Sequence, residues 1–326
     1  MTDRRAFLAS VTALAVARGV QAQPRAEVPR IGLLFAAASP AVAARVDAFR
    51  MGLAALGYAD GQRVQLEPRY AYGQLARLPA LAAELVRLPA AVIVTGGSSA
   101  TRPAVDATKT VPIVMAQDND PVGSGVVASL ARPGGNVTGF STLVPELSAK
   151  QLALLAEMVP GVSRVAMFGD SGEAGNAQSV AEAQAAAARL NIQLQHLDYR
   201  KVGGPPQLFE AAARQKAEAL LVLASAYLFS RHEEVTALAL KYRLPAIYAH
   251  GEAVRFGGLA TYGVNVIDLF SRAAGYVVKI LSGTKPADLP VEQPAKFEFV
   301  LNMRTAKAIG LAIPQSLLLR ADEVIQ

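Results

Sequence analysis

The chain is 326 residues long, holds no cysteine and carries a formal net charge of +6. That length accommodates two domains. The missing cysteine excludes a disulfide framework, a cysteine-bound metal and a thiol-linked lipid anchor, and a mild positive charge with no Lys/Arg run carries no footprint of nucleic-acid binding. The first segment stands apart from the rest. Arg4-Arg5 precede Phe7-Leu8, an apolar run extends from Ala6 to Ala17, and Val20-Gln21-Ala22 offer the small residues of a cleavage site. The pattern reads as an export leader over residues 1–22, since a bilayer span needs about 20 apolar residues. The arginine pair gives it a twin-arginine character. Asp3 displaces Thr2 from the position just before the pair, so the general secretory route stays open. Cleavage removes Arg4, Arg5, Arg18 and Asp3 and leaves a mature chain of +4. A soluble periplasmic protein without an anchor is expected.

After Gln23–Pro29 the chain settles into alternation. Predicted strands are Ile31–Phe35, Val64–Glu67, Ala91–Val94 and Pro112–Met115, and helices Val42–Leu56, Leu75–Leu88 and Ser99–Ala107 lie between them, the second interrupted by Pro79. The rhythm then restarts. Helix Ser148–Val159, strand Arg164–Phe168, helix Ala174–Leu190, strand Ile192–Leu197, helix Gln207–Lys216, strand Ala219–Leu223, helix Arg231–Tyr242 and strand Pro245–Tyr248 follow in order. A last helix Leu269–Leu281, a Pro-rich stretch Lys285–Pro294, a strand Phe297–Val300 and a helix Thr305–Ile309 close the chain. Short apolar strands alternating with helices predict an α/β protein of two Rossmann-like lobes, each a parallel sheet covered on both faces. The helix-then-strand tail implies repeated crossing between the lobes, with Ser141–Glu146, Gly263–Ile267 and Gln293–Lys296 as hinge segments.

Ligands of open α/β sheets bind beyond the carboxyl ends of the strands, which directs attention to the loops there. They supply Ser39, Gly97, Ser98, Ser99, Asp118 and Asp120 in the first half, and Ser171, Asn176, Ser225, Tyr227 and Glu252 in the second. Hydroxyls and backbone N–H groups at helix starts suit a carboxylate, and Asp120 or Glu252 suits an amine. Such a crevice fits a small polar or zwitterionic solute, with Tyr227, Phe229, Tyr248 and Tyr262 as aromatic flanks. Each residue also has a plainer role: Ser98 and Ser99 as helix caps, Asp118 and Asp120 as turn-formers before Pro121, Tyr248 as core.

Signals for catalysis are weak. The three histidines have no metal-ligand spacing. Gly169-Asp170-Ser171-Gly172 is not a nucleophile elbow. Gly123-Ser124-Gly125-Val126-Val127-Ala128 matches a loose dinucleotide pattern in the wrong place, several residues behind its strand. No catalytic role, cofactor or metal is expected.

Several segments together resemble ABC-transporter substrate-binding proteins of the tryptophan/aromatic amino-acid type. They are Leu78–Val86, Asp120-Pro121-Val122, Arg132–Gly139, Gly257–Gly263, Lys285–Val291, Gln293–Glu298 and Arg320–Ile325, and the likeness runs from Pro29 to the C-terminus. The resemblance implies a type I periplasmic-binding-protein fold with three crossovers. It places one lobe at 28–142 plus 266–295 and the other at 143–265 plus 296–326. It also implies a solute held between closing lobes and delivered, by a monomer, to a membrane permease with a separate ATPase. A ligand-sensing receptor domain for a membrane partner, and an exported α/β enzyme, are the alternatives.

Overall fold

A computed structural model describes residues 28–142 and 144–326; the expected leader, residues 1–22, lies outside the described residues. The first sheet holds β1 (Arg30–Phe35), β2 (Gln65–Tyr70), β3 (Val92–Gly96), β4 (Ile113–Asp118) and β5 (Val137–Ser141). Their order is β2-β1-β3-β4-β5, with every neighbouring pair parallel. The second holds β6 (Arg164–Gly169), β7 (Gln193–Asp198), β8 (Ala219–Val222), β9 (Ala246–Tyr248), β10 (Ala260–Gly263), β11 (Glu298–Asn302) and β12 (Glu323–Ile325), in the order β12-β11-β10-β9-β8-β6-β7.

Side chains alternate across a strand, so a doubly covered strand sends successive apolar residues into two cores. In β1, Ile31, Leu33 and Phe35 enter one core and Leu34 the other. In β6, Val165 and Met167 divide in the same way from Ala166 and Phe168. One face of the first sheet is covered by α1 (Ser39–Ala55) and α10 (Val266–Leu281), through Val42, Phe49, Leu53, Leu269 and Phe270. Its other face takes α2 (Leu78–Arg87) and α3 (Ser98–Ala107). On the second sheet α4 (Val144–Met158) and α5 (Asn176–Leu190) cover one face, and α7 (Pro205–Arg214) and α9 (His232–Lys241) the other. Short helices α6 (Tyr199–Val202), α8 (Ala226–Phe229), α11 (Met303–Ile309) and α12 (Gln315–Leu318) complete the set. Among the described residues no helix is long and apolar enough to cross a membrane.

The predicted strands and long helices are present, with shifted ends. Pro79 starts α2 instead of interrupting it: a 3-10 turn at Leu75–Arg77 leads in and Pro79 occupies the first helical turn, where its missing N–H has no intrahelical partner to lose. Three strands were not predicted. β5 has a glycine in its middle, and Gly139 (φ 129°) runs so close to β4 that a Cβ would lie 2.1 Å from the Met115 carbonyl oxygen. β10 and β12 are short. The second sheet is also not wholly parallel. Gly263 at the end of β10 pairs with Glu298 at the start of β11, and Ala260 with Leu301. The chain leaves this sheet at Gly263, contributes α10 to the first sheet, and re-enters beside its point of exit, so β11 must run back along β10.

Candidate functional site

The residues that follow β1, β3 and β4 face those that follow β6, β8 and β9. Between them lies a cavity of about 400 Å³ when its open mouth is counted. The first sheet contributes Phe35, Arg45, Gly97, Ser99, Gln117 and Asn119 to its wall, and the second contributes Glu173, Ser225, Phe229 and His250. A wider cleft of about 910 Å³ adjoins it; Ser99 and Glu173 line both spaces, and Arg102, Asp118, Ser171 and Arg200 line the cleft alone.

Of the residues expected at the site, Gly97, Ser99 and Ser225 line the inner cavity, and Ser98, Asp118 and Ser171 line the outer cleft. Gly97 precedes α3 at φ 121°, a conformation glycine adopts without strain. Ser98 Oγ donates to Asp118 Oδ1 at 2.9 Å and accepts from the Asn119 N–H. Ser99 Oγ donates to Glu173 Oε2 at 2.7 Å, tying the two halves together. Ser225 caps α8 and donates to Asp170 Oδ2.

The remaining five do not line these spaces. Ser39 sits in the first turn of α1. Asp120 accepts from the Gly123 N–H at 2.8 Å, the turn-forming role. Asn176 opens α5 with its amide against the Asp170 backbone. Tyr227 stacks on Tyr199 with centroids 3.9 Å apart and Arg231 on its other side. Glu252 is paired with Arg45, Nε to Oε1 at 2.6 Å, and lines a different cavity beside Asn265 and Glu298.

Five polar groups of the cavity were not among the expected site residues: Arg45, Gln117, Asn119, Glu173 and His250. Arg45 carried a signal. It lies three residues after Val42, on the stripe that Val42, Val46, Phe49 and Leu53 bury, and is itself only 2 % exposed. A charge on the apolar face of a helix needs a partner, and Glu252 supplies it. The guanidinium carbon lies 4.5 Å from the centroid of the Phe229 ring. Glu173 gave no comparable signal, because its partners come from distant loops.

The electrostatics are unbalanced toward carboxylates. Burial pushes Asp118 up to about 6, although the Ser98 hydroxyl pulls it down. Burial pushes Glu173 up to about 7 against the hydrogen bonds from Ser99 and Ala226, and Asp170 and Asp118 raise it further. Burial also acts against the Glu252 charge, but Arg45 outweighs it and holds that carboxyl below its ordinary value. Burial, with the nearby Arg45 charge, drops His250 to about 4, so its imidazole is neutral at pH 7. Among the described residues, Arg45 Nη2, Gln117 Oε1 and His250 Nε2 are buried at this cavity without a hydrogen-bond partner. Buried polar atoms are normally partnered, and these three are not. No cluster of three or more His, Asp or Glu among the described residues is placed to hold a metal ion.

A partly aromatic cavity between two α/β units suits capture of a small solute. The profile of the ABC transporter substrate binding protein family matches residues 30–325, and the chain belongs to that family. Proteins of this class act outside the cytoplasm, with a small solute and a permease as partners. Among characterised relatives, a tyrosine-binding protein of Clostridioides difficile (strain R20291) is 25 % identical over 255 residues, 78 % of this chain and 73 % of the relative. Among solved structures, the ABC domain from Streptococcus pneumoniae in complex with L-Trp superposes with a TM-score of 0.82 at 27 % identity, covering 91 % of this chain and 99 % of that one. A conserved domain protein from Vibrio cholerae O1 biovar El Tor gives 0.84 at 28 % identity, covering 91 % and 100 %. The two-sheet architecture is that of type I periplasmic binding proteins.

Proposed function

We propose that the chain captures an amino acid with an aromatic side chain between two closing lobes and delivers it to an ABC permease driven by a separate ATPase, without catalysing a reaction. The observation that carries this reading is the inner cavity, where Phe35 and Phe229 supply apolar wall and Arg45, Gln117 and His250 leave polar atoms unpartnered. The relatives named for tyrosine binding and solved with L-Trp support the ligand class. The lobes in this reading are 28–142 plus 266–295 and 143–265 plus 296–326, joined by three crossovers near 142–144, 263–266 and 293–297. Ligand touching both lobes favours the closed state by its differential affinity. Residues 1–22 direct export by the twin-arginine or the general route, and the mature chain works in the periplasm as a monomer.

The chain contains no tryptophan, which makes the test direct. Indole fluorescence in a titration with L-tryptophan belongs to the ligand alone, and is expected to shift to the blue as the ring leaves water. Thermal-shift measurements with L-tyrosine and the other amino acids complete the screen. Folded protein that responds to no amino acid overturns the proposal.

A further inference from the structure

The end of the cavity at α3 looks from sequence like a seat for a carboxylate. In the structure its hydroxyls are already committed: Ser98 to Asp118, and Ser99 to Glu173. Glu173 is 8 % exposed. Its Oε2 accepts from Ser99 Oγ and from the Ala226 N–H at 3.2 Å, and its Oε1 accepts a single bond, from Asn119 Nδ2 at 3.3 Å. A carboxylate oxygen has room for a second bond. In the same cavity, Gln117 Oε1 is a buried acceptor with no partner among the described residues. A Cβ on Gly97 would lie 3.5 Å from the Gln117 amide nitrogen, which places this side chain at the α3 end. The same wall holds a donor of opposite character, Arg45 Nη2, buried and without a partner among the described residues.

We propose that the solute binds with a cationic nitrogen on Glu173 Oε1 and Gln117 Oε1 and with its carboxylate on Arg45 Nη2, the reverse of the polarity that the serine-rich loop suggests. The proposal rests on the amino-acid reading above and gives it an orientation. It also accounts for the carboxylate excess: an ammonium group supplies the cation that Glu173 lacks. The charged and titratable groups around Glu173 are Asp118 from β4, Asp170 from the end of β6 with its partner Arg200, Arg102 on α3, His250 on the same wall, and Arg45 with its partner Glu252. With Glu173 titrating near 7, affinity for an ammonium ligand rises with pH as the carboxyl ionises, by about tenfold between pH 6 and pH 8.

The experiment compares L-tyrosine, tyramine, which lacks the carboxylate, and 3-(4-hydroxyphenyl)propionate, which lacks the amine, by calorimetry at both pH values. The proteins are the wild type, Glu173→Gln and Arg45→Lys, each checked for folding by circular dichroism. In the wild type, both amine-bearing ligands are expected to bind with the stated pH dependence and the propionate to bind far more weakly. Glu173→Gln is expected to lose at least about tenfold for the amines, the worth of a charge-assisted hydrogen bond, and to bind without pH dependence. Arg45→Lys is expected to weaken L-tyrosine and leave tyramine unchanged; should it not fold, the wild-type difference between these two ligands reads the same contact.

Wild-type affinity in Glu173→Gln, or equal binding of the propionate and L-tyrosine, overturns the orientation while leaving the amino-acid reading intact. Binding of tyramine with the expected pH profile, but of no amino acid, keeps the Glu173 contact and overturns both the amino-acid reading and the Arg45 contact. A folded wild type that binds neither amine overturns both proposals.

Discussion

Glu173 and Asp118 work against the stability of the unliganded protein. Both carboxyls are raised in the fold, to about 7 and about 6, above an unfolded-state value near 4. A group shifted in that direction carries no penalty below its unfolded value; the penalty builds as pH rises from there and is complete above the folded value. Glu252 has the opposite sign: held down by Arg45, it supports the fold above its unfolded value and loses that support as acid protonates it. Urea unfolding of the unliganded protein is therefore expected to give lower stability at pH 8 than at pH 5.5. Glu173→Gln should recover on the order of 1–3 kcal/mol at pH 8; an unchanged midpoint there refutes the assignment. The Arg45–Glu252 pair makes a second prediction. Arg45→Met leaves a buried carboxylate alone and should destabilise by about 3–5 kcal/mol, whereas Arg45→Met combined with Glu252→Met should lose much less; equal losses would mean that the pair is not coupled. The site was only partly legible in the residues. Gly97, Ser98, Ser99, Asp118, Ser171 and Ser225 declared themselves by standing after strands. The partners that decide the chemistry, Arg45 and Glu173, belong to opposite halves of the chain and become neighbours only through the fold.

The crossing of α1 and α10 depends on the absence of a side chain. A Cβ on Gly52 would lie 2.5 Å from the Ser271 carbonyl oxygen and 3.0 Å from Ala274 Cβ, and backbone cannot swing aside as a side chain can. Gly52→Ala is expected to force the helices apart and lower stability by about 1–3 kcal/mol, despite the better helix propensity of alanine. Thermal melts decide this, since a rise in the midpoint would show propensity outweighing the close approach. Central strands such as β1 and β6, and the long helices, were readable because a regular pattern buries them, two cores per strand and one stripe per helix. The strands that escaped are short, although β5 is buried throughout and sends Val137 and Phe140 into two cores. β5 carries Gly139 at its centre, and β12 is three residues of mixed character. The antiparallel β11 follows from where the chain re-enters the second sheet, which no local pattern records.

At the scale of the molecule, the two halves meet at polar contacts, at the Phe229 ring and at close approaches of glycine, Gly73 to Ser230 among them. A Cβ on Gly73 would lie 3.2 Å from Ser230 Cβ, close to the separation of bridged cysteines, about 3.5–4.5 Å. Because the chain has no cysteine of its own, Gly73→Cys with Ser230→Cys introduces the only pair. Oxidation is expected to trap the closed form: solute bound beforehand should exchange far more slowly, and solute added afterwards should fail to enter. Unaltered exchange in the cross-linked protein would remove lobe opening from the mechanism. The return of the chain through α10 also governs how the protein is made. On the ribosome, α1 and the first four strands emerge long before the helix that covers Phe49 and Leu53, and Glu292, whose backbone pairs with Gly139 and Ser141 at the free edge of β5, comes later still. The first half thus waits, apolar face open, while most of the second is synthesised. Both halves therefore depend on late segments, α10 and Glu292 for the first and β11 and β12 for the second.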